Sequence, residues 1–118
     1  MFDAADYEAQ IAFFRQQQEL APTPLRSCPS LAHHLGIGQL LVKDETSRFG
    51  LNAFKSVGAQ FAVATLRERG DIQEGDTLVC ASEGNHGRAV ARAARLAACR
   101  ALVYMAHSVA PARVQAIE

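Results

Sequence analysis

Two stretches of this 118-residue chain combine residue types that can do covalent chemistry. The first, Asn52-Ala53-Phe54-Lys55-Ser56-Val57-Gly58-Ala59, reads as a loop turning into a helix that opens on a lysine. Lysine is an odd choice there, because the positive end of the helix dipole disfavours a second positive charge. Held as an imine with an aldehyde cofactor, the same amine becomes a nucleophilic catalyst that the substrate amine displaces in the first step. The plain alternative is a Lys55 that points into solvent and tolerates a small penalty.

The second stretch, Ser82-Glu83-Gly84-Asn85-His86-Gly87, lies between an apolar run and the next helix. Open parallel sheets bind ligands at that place, the carboxyl end of a strand. Free N–H groups of the helix start can hold an anion. Gly84 and Gly87 let the backbone approach closely. The alternative is a capped turn, with Asn85 as N-cap and the glycines as turn formers. Two readings also stand for Glu83. A carboxylate enclosed beside a cofactor can serve as a general base, whereas a solvated loop acid does nothing of the kind.

These residues need elements to position them. Tyr7, Ile11 and Phe14 recur at helical spacing over Ala4 to Leu20, and Pro22 and Pro24 break that helix. Ser30 can cap a short helix through Leu35, stopped by Gly36. Leu40-Leu41-Val42 has strand character, and residues 43 to 52 form a polar loop. A helix follows from about Lys55 to Arg69, ended by Gly70. Thr77 to Ala81 reads as a parallel strand buried on both faces, and Asn85 to about Ala98 as a helix. Ala101 to Met105 reads as a second buried strand. Pro111 opens a last helix to Glu118. Strands alternating with helices over short links predict an α/β fold, a parallel sheet with flanking helices.

Composition narrows the function classes. At 49% hydrophobic residues the chain can bury a core, and 12 basic residues balance 12 acidic ones without a one-sign block. That balance implies neither a nucleic acid nor an anionic membrane as partner. The start has no signal-peptide pattern and no apolar run is long enough to span a bilayer, so a cytoplasmic location is expected. Cys28, Cys80 and Cys99 are odd in number and widely spaced, which predicts small core residues rather than disulfides or a zinc site.

The two stretches, with their surroundings, resemble the fold type II family of pyridoxal phosphate enzymes, and within it the diaminopropionate ammonia-lyases. The likeness starts at Pro22-Thr23-Pro24-Leu25 and passes through Leu31-Ala32, Leu35-Gly36-Ile37 and Leu41-Val42-Lys43-Asp44-Glu45. It continues through Arg48-Phe49-Gly50-Leu51-Asn52-Ala53-Phe54-Lys55 to Gly84-Asn85-His86-Gly87-Arg88. Pro111, Arg113 and Ile117 fit the helix after the next strand. The Arg-Phe-Gly-Leu lead-in separates this branch from the threonine and serine deaminases and the cysteine synthases, which usually carry Ser-Phe-Lys after a different loop.

The resemblance implies the amino-terminal part of the tryptophan synthase β-like fold, spanning residues 1–118, with pyridoxal 5'-phosphate on Lys55. By the same likeness Phe54 lies beside the cofactor ring and Asn85 bonds its phenolic oxygen. Ser82, Gly84 and Asn85 receive the substrate carboxylate, and Glu83 stands where the family has an Asp associated with proton transfer. That longer side chain puts the stereochemical preference and the substrate in doubt. The implied reaction is β-elimination of 2,3-diaminopropionate to pyruvate and ammonia, on a small amino-acid substrate, in an enzyme that is a homodimer in its intact form. The glycine-rich loop for the cofactor phosphate and the partner of its ring nitrogen have no match here. A threonine or serine dehydratase of the same fold, or a non-catalytic remnant, remain the alternatives.

Secondary features are read more plainly. Phe54 could be core. Asp44 and Glu45 resemble a structural acidic pair or pair ionically at the surface. His33 and His34 suggest solvent exposure rather than a metal, and His86 orients its loop. Gly36-Ile37-Gly38 enters a strand, which excludes a dinucleotide fingerprint. Arg88, Arg92 and Arg95 read as the solvated side of an amphipathic helix.

Overall fold

The computed structural model describes residues 4–17 and 20–117. Helix α1 (Ala4–Arg15) is followed by strand β1 (Leu25–Ser27), helix α2 (Pro29–Leu35) and strand β2 (Leu41–Lys43). Helix α3 (Lys55–Glu68) then precedes β3 (Thr77–Ala81), α4 (Asn85–Leu96), β4 (Arg100–Tyr104) and α5 (Pro111–Gln115). The α/β class and the parallel pairing are as expected, with β3 and β4 in register from Thr77 opposite Arg100 to Ala81 opposite Tyr104.

A second, antiparallel pair joins β1 to β2, with Leu25 opposite Lys43 and Ser27 opposite Leu41. Three-residue strands carry too little alternation to be read from sequence. Their ladder is extended by main-chain bonds from Cys28 to Leu40 and from Asp44 to Pro24.

Several boundaries differ from expectation. Helix α1 ends at Arg15, where the N–H groups of Gln16 and Gln17 bond three residues back to Phe13 and Phe14 and tighten the last turn. Gln18 and Glu19, inside the expected helix, and Glu118, at the expected end of the last one, lie outside the described residues. Tyr7 is exposed. Phe13 and Phe14 instead meet Phe61 of α3, with ring centroids 5.4 and 6.0 Å away. Ser30 does not cap α2; Cys28 holds that position and Pro29 opens the helix, a place where its missing N–H costs nothing. Gly36, at φ 67°, stops α2 as expected.

The core lies between α3 and α4. Val63, Ala93 and Ala97 are buried there, with Ala59, Ile72, Leu78 and Cys99 packed against them. Ala89 and Ala94 are buried on the same helix. Alanines let two helices approach closely, but each buried methyl contributes only about 0.8 kcal/mol. Contacts rise together along the two helices: Gln60 meets Arg92 and Arg67 meets Ala97. Helices α3 and α4 therefore run in the same direction, and their amino ends fall at one end of the molecule.

Helix α4 covers one face of the parallel pair and the opposite face is bare. Val79, Leu102 and Tyr104 share that face and are 59%, 44% and 61% exposed. The strands are thus not buried on both sides, contrary to expectation, because the second layer such a sheet requires is not supplied by the described residues. The radius of gyration, 17.2 Å, exceeds the roughly 13.5 Å of a compact domain of this length.

Candidate active site

Lys55 is the first residue of α3 and is exposed. Its immediate neighbours differ sharply. Phe54 is 66% exposed, which overturns the reading of that ring as core. Ser56 is 2% exposed and donates from Oγ to the Ala53 carbonyl at 3.2 Å, locking the turn beneath the lysine.

The segment leading to Lys55 has an unusual backbone. Phe49 sits at φ 51°, ψ 21° and Asn52 at φ 56°, with Gly50 between them at φ 68°. Left-handed backbone costs a bulky residue on the order of 1–3 kcal/mol and persists only where its surroundings enforce it.

The second stretch is built around Ser82. Its Oγ accepts the N–H of Gly84 at 3.3 Å and that of Gly87 at 2.9 Å. Gly84 is the N-cap residue and Asn85 the first residue of α4, so the Asn85 side chain does not cap the helix. The capped-turn alternative thereby loses its capping residue. With Gly87 satisfied by Ser82, the N–H groups of Asn85 and His86 at the first turn have no intrahelical acceptor and no other partner among the described residues. The Asn85, Glu83 and His86 side chains are exposed around them.

Gly87 is buried because nothing larger fits. A Cβ there would lie 2.9 Å from Val103 Cγ1, 3.1 Å from Ile117 Cδ1 and 3.4 Å from Ser82 Cβ. Around Gly84 the corresponding space is open. Gly87 therefore seats α4 on β4 and on Ile117, just after α5, while Gly84 leaves room beside the free N–H groups.

The arginines of α4 are not a solvated stripe. Arg88 donates from Nη1 to the Leu51 carbonyl at 3.0 Å and from Nε to the Ala116 carbonyl at 3.1 Å. Arg92 lies over the Phe49 ring, 4.4 Å from its centroid, and donates to Gln60 Oε1 at 2.9 Å. Only Arg95 of the three is exposed. Arg88 and Arg92 were legible as charge at four-residue spacing, but nothing in the sequence marked the carbonyls and the ring they engage.

A separate polar cluster surrounds Asp44 and Glu45. Arg48, buried, donates from Nε to Glu45 Oε2 at 2.6 Å and from Nη1 to the Ala21 carbonyl at 2.8 Å. Thr23 donates its hydroxyl to Glu45 Oε1, and Lys43 donates to the Thr23 carbonyl. Asp44 accepts from the Thr46 hydroxyl and from Arg26, each at 2.6 Å. The hydrogen bond from Arg48 holds the Glu45 carboxyl down at about 2. That from Thr46, reinforced by Arg26, holds Asp44 at about 2 as well.

The three cysteines are free and partly buried, and burial pushes the Cys80 thiol up. His33 and His34 are exposed on α2. No helix among the described residues is long and apolar enough to cross a membrane.

The residues present fit pyridoxal phosphate at one end of the molecule. An exposed amine and an exposed aromatic ring stand at the start of α3. A loop with open space at Gly84, two N–H groups without a partner among the described residues and an exposed Asn85 stands at the start of the parallel α4.

Comparison with known proteins agrees. Residues 16–118 match the family model described as pyridoxal-phosphate dependent enzyme. Diaminopropionate ammonia-lyase of Escherichia coli K12 is 37% identical over 97% of this chain, and the chain spans 31% of that relative's length. A crystal structure of the Escherichia coli enzyme in complex with an aminoacrylate-PLP azomethine reaction intermediate superposes with a TM-score of 0.83 at 36% identity. It covers 98% of this chain, which spans 32% of the solved one. Maize serine racemase superposes with a TM-score of 0.71 at 27% identity, over 94% of this chain and 31% of its own. The fold and the matched residues together establish that the chain belongs to the pyridoxal-phosphate dependent enzyme family.

Proposed function

We propose that this chain is the lysine-bearing, amino-terminal portion of a pyridoxal phosphate-dependent ammonia-lyase acting on 2,3-diaminopropionate. The observation that carries the reading is the shared end of α3 and α4, where Lys55 opens one helix and the Ser82–Gly87 loop opens the other. The net reaction consumes 2,3-diaminopropionate and water and releases pyruvate and two molecules of ammonia. Pyridoxal phosphate, when bound, supplies the electron sink for bond breaking at the substrate α-carbon.

The chain's own residues divide the remaining work. Lys55 would hold the cofactor through its Nζ amine, a linkage that a substrate amine can replace. Phe54, exposed beside it, offers an apolar face to the cofactor ring. Asn85 donates from its side-chain amide to the cofactor's phenolic oxygen. The Asn85 and His86 N–H groups, at the positive end of α4, receive the substrate carboxylate, with open space at Gly84 for its approach. Ser82 contributes to that grip by fixing the loop through its hydroxyl. Glu83, exposed on the same loop, is the carboxylate that takes the proton from the substrate α-carbon. Composition without a one-sign charge block supports a small-molecule substrate, and a cytoplasmic setting is part of the same proposal. A homodimeric intact form is part of the same proposal, supported by the resemblance of the chain.

The test uses the full chain with pyridoxal phosphate. Adding 2,3-diaminopropionate before borohydride should protect Lys55 from the pyridoxyl label, and threonine should protect it far less. Equal protection by threonine would favour a dehydratase, and no protection by either would contradict a substrate role for the loop. Sustained pyruvate formation is not expected of residues 1–118 alone, because no second glycine-rich loop is present to hold the cofactor phosphate. Steady turnover abolished by Lys55→Ala would contradict that expectation.

A further inference from the structure

The left-handed backbone at Phe49, Gly50 and Asn52 delivers Lys55 to its place, and side chains of α4 hold that segment. The Arg92 guanidinium covers the Phe49 ring, while Arg88 grips the Leu51 carbonyl. Leu51 lies four residues before Lys55 and Arg88 three residues after Asn85. A single guanidinium thus bridges the segment that carries the amine and the helix that carries the anion-binding loop. Its second bond, from Nε to the Ala116 carbonyl, anchors the bridge to the chain just after α5.

We infer that Arg88 is a positioning residue, whose two-carbonyl grip sets the placement of the Lys55 amine relative to the amino end of α4. The inference rests on the proposed role of Lys55. A solvating role would leave Arg88 pointing outward, as Arg95 does; it is instead half-buried and spent on two main-chain acceptors. The planar fork of arginine can donate in two fixed directions at once, which the compact ammonium of lysine cannot reproduce. A misplacement near 1 Å at a reacting group costs reactivity on the order of a hundredfold.

The chain contains its own internal reference, because Lys43 is its one other lysine. The full chain is incubated with pyridoxal 5'-phosphate, reduced with borohydride and mapped, and the ratio of label on Lys55 to label on Lys43 is taken alongside a thermal melt. Arg88→Gln should lower that ratio by about tenfold or more at temperatures where the variant is folded. Arg88→Lys should recover part of the melting temperature and little of the ratio. An unchanged ratio with a lowered melting temperature would reduce Arg88 to scaffold and overturn the inference.

If Arg88→Gln does not fold, Arg88→Lys decides, since it keeps the charge but cannot donate in two fixed directions at once. A lowered ratio supports the clamp and an unchanged one overturns it. A wild-type chain with no preference between the two lysines would overturn the role of Lys55 and this inference together. A preference that survives Arg88→Gln overturns the inference alone.

Discussion

Two polar clusters, each with one lysine, stand in contrast. Around Lys43 every strong group is occupied: Glu45 is held by Arg48 and Thr23, Asp44 by Thr46 and Arg26, and Lys43 by the Thr23 carbonyl. Around Lys55 the lysine and Asn85 are exposed and the first N–H groups of α4 have no partner among the described residues, while Ser82 and Ser56 brace the backbone beneath them. A cluster whose hydrogen bonds are closed among themselves stabilises a fold. One that leaves donors uncommitted on a braced backbone is built to receive a ligand.

The contrast makes opposite demands on mutation. Arg48→Ala should produce the largest loss of stability, roughly 3 kcal/mol, because it strips Glu45 of its main partner and leaves a carboxylate in a partly buried site. Lys55→Ala should stay within about 0.5 kcal/mol of wild type, as expected for an exposed side chain. Chemical denaturation of the two variants compares them directly, and equal losses would erase the distinction between the clusters.

Gly87→Ala should cost about 1–3 kcal/mol by overpacking, since the new methyl meets Val103, a short stiff side chain, at 2.9 Å. Adding Val103→Ala should recover part of that loss. A neutral Gly87→Ala would mean that α4 is not seated as tightly as this contact requires.

Acid should dismantle the first cluster. Glu45 and Asp44 have ordinary values of 4.5 and 3.8 and are held at about 2 in the folded chain. Between those limits the unfolded chain binds more protons than the folded one. The stabilisation is therefore complete above about pH 4.5 and is lost as pH falls toward 2. Glu45→Gln, which cannot titrate, should flatten the dependence of stability on pH in that window, and an unaltered slope would deny the cluster its role.

Asn85→Ala, like Lys55→Ala, should change stability by no more than about 0.5 kcal/mol, because its side chain caps nothing. On its proposed role the effect belongs to the ligand: one hydrogen bond to a charged or polarised oxygen is worth about 1.5 to 3 kcal/mol. Cofactor titration with a parallel melt separates the two. A collapse of the melt with an unchanged cofactor spectrum would return Asn85 to a structural role.

Much of this was legible from residue order. The limits of β3, the start of α3 at Lys55 and the stop at Gly36 follow from an apolar run, a loop-to-helix change and a glycine. What escaped depended on contacts distant in sequence. Strand β1 exists through its pairing with β2, and its three residues have no pattern of their own. Arg88 and Arg92 looked like a solvated face because helical spacing records which residues share a side, not what that side meets. Ser82 accepts the N–H groups of Gly84 and Gly87, a geometry that only the folded loop defines. The bare outer face of β3 and β4 was read as buried because apolar runs report a capacity for burial rather than the presence of a covering layer.

The two lysines allow one direct test of the central contrast. The chain is saturated with pyridoxal 5'-phosphate, reduced with borohydride, digested and mapped for pyridoxyllysine. Label concentrated on Lys55, with Lys43 largely protected by its bond to the Thr23 carbonyl, is the result the open cluster predicts. Label mainly on Lys43, or spread evenly over both, would contradict it.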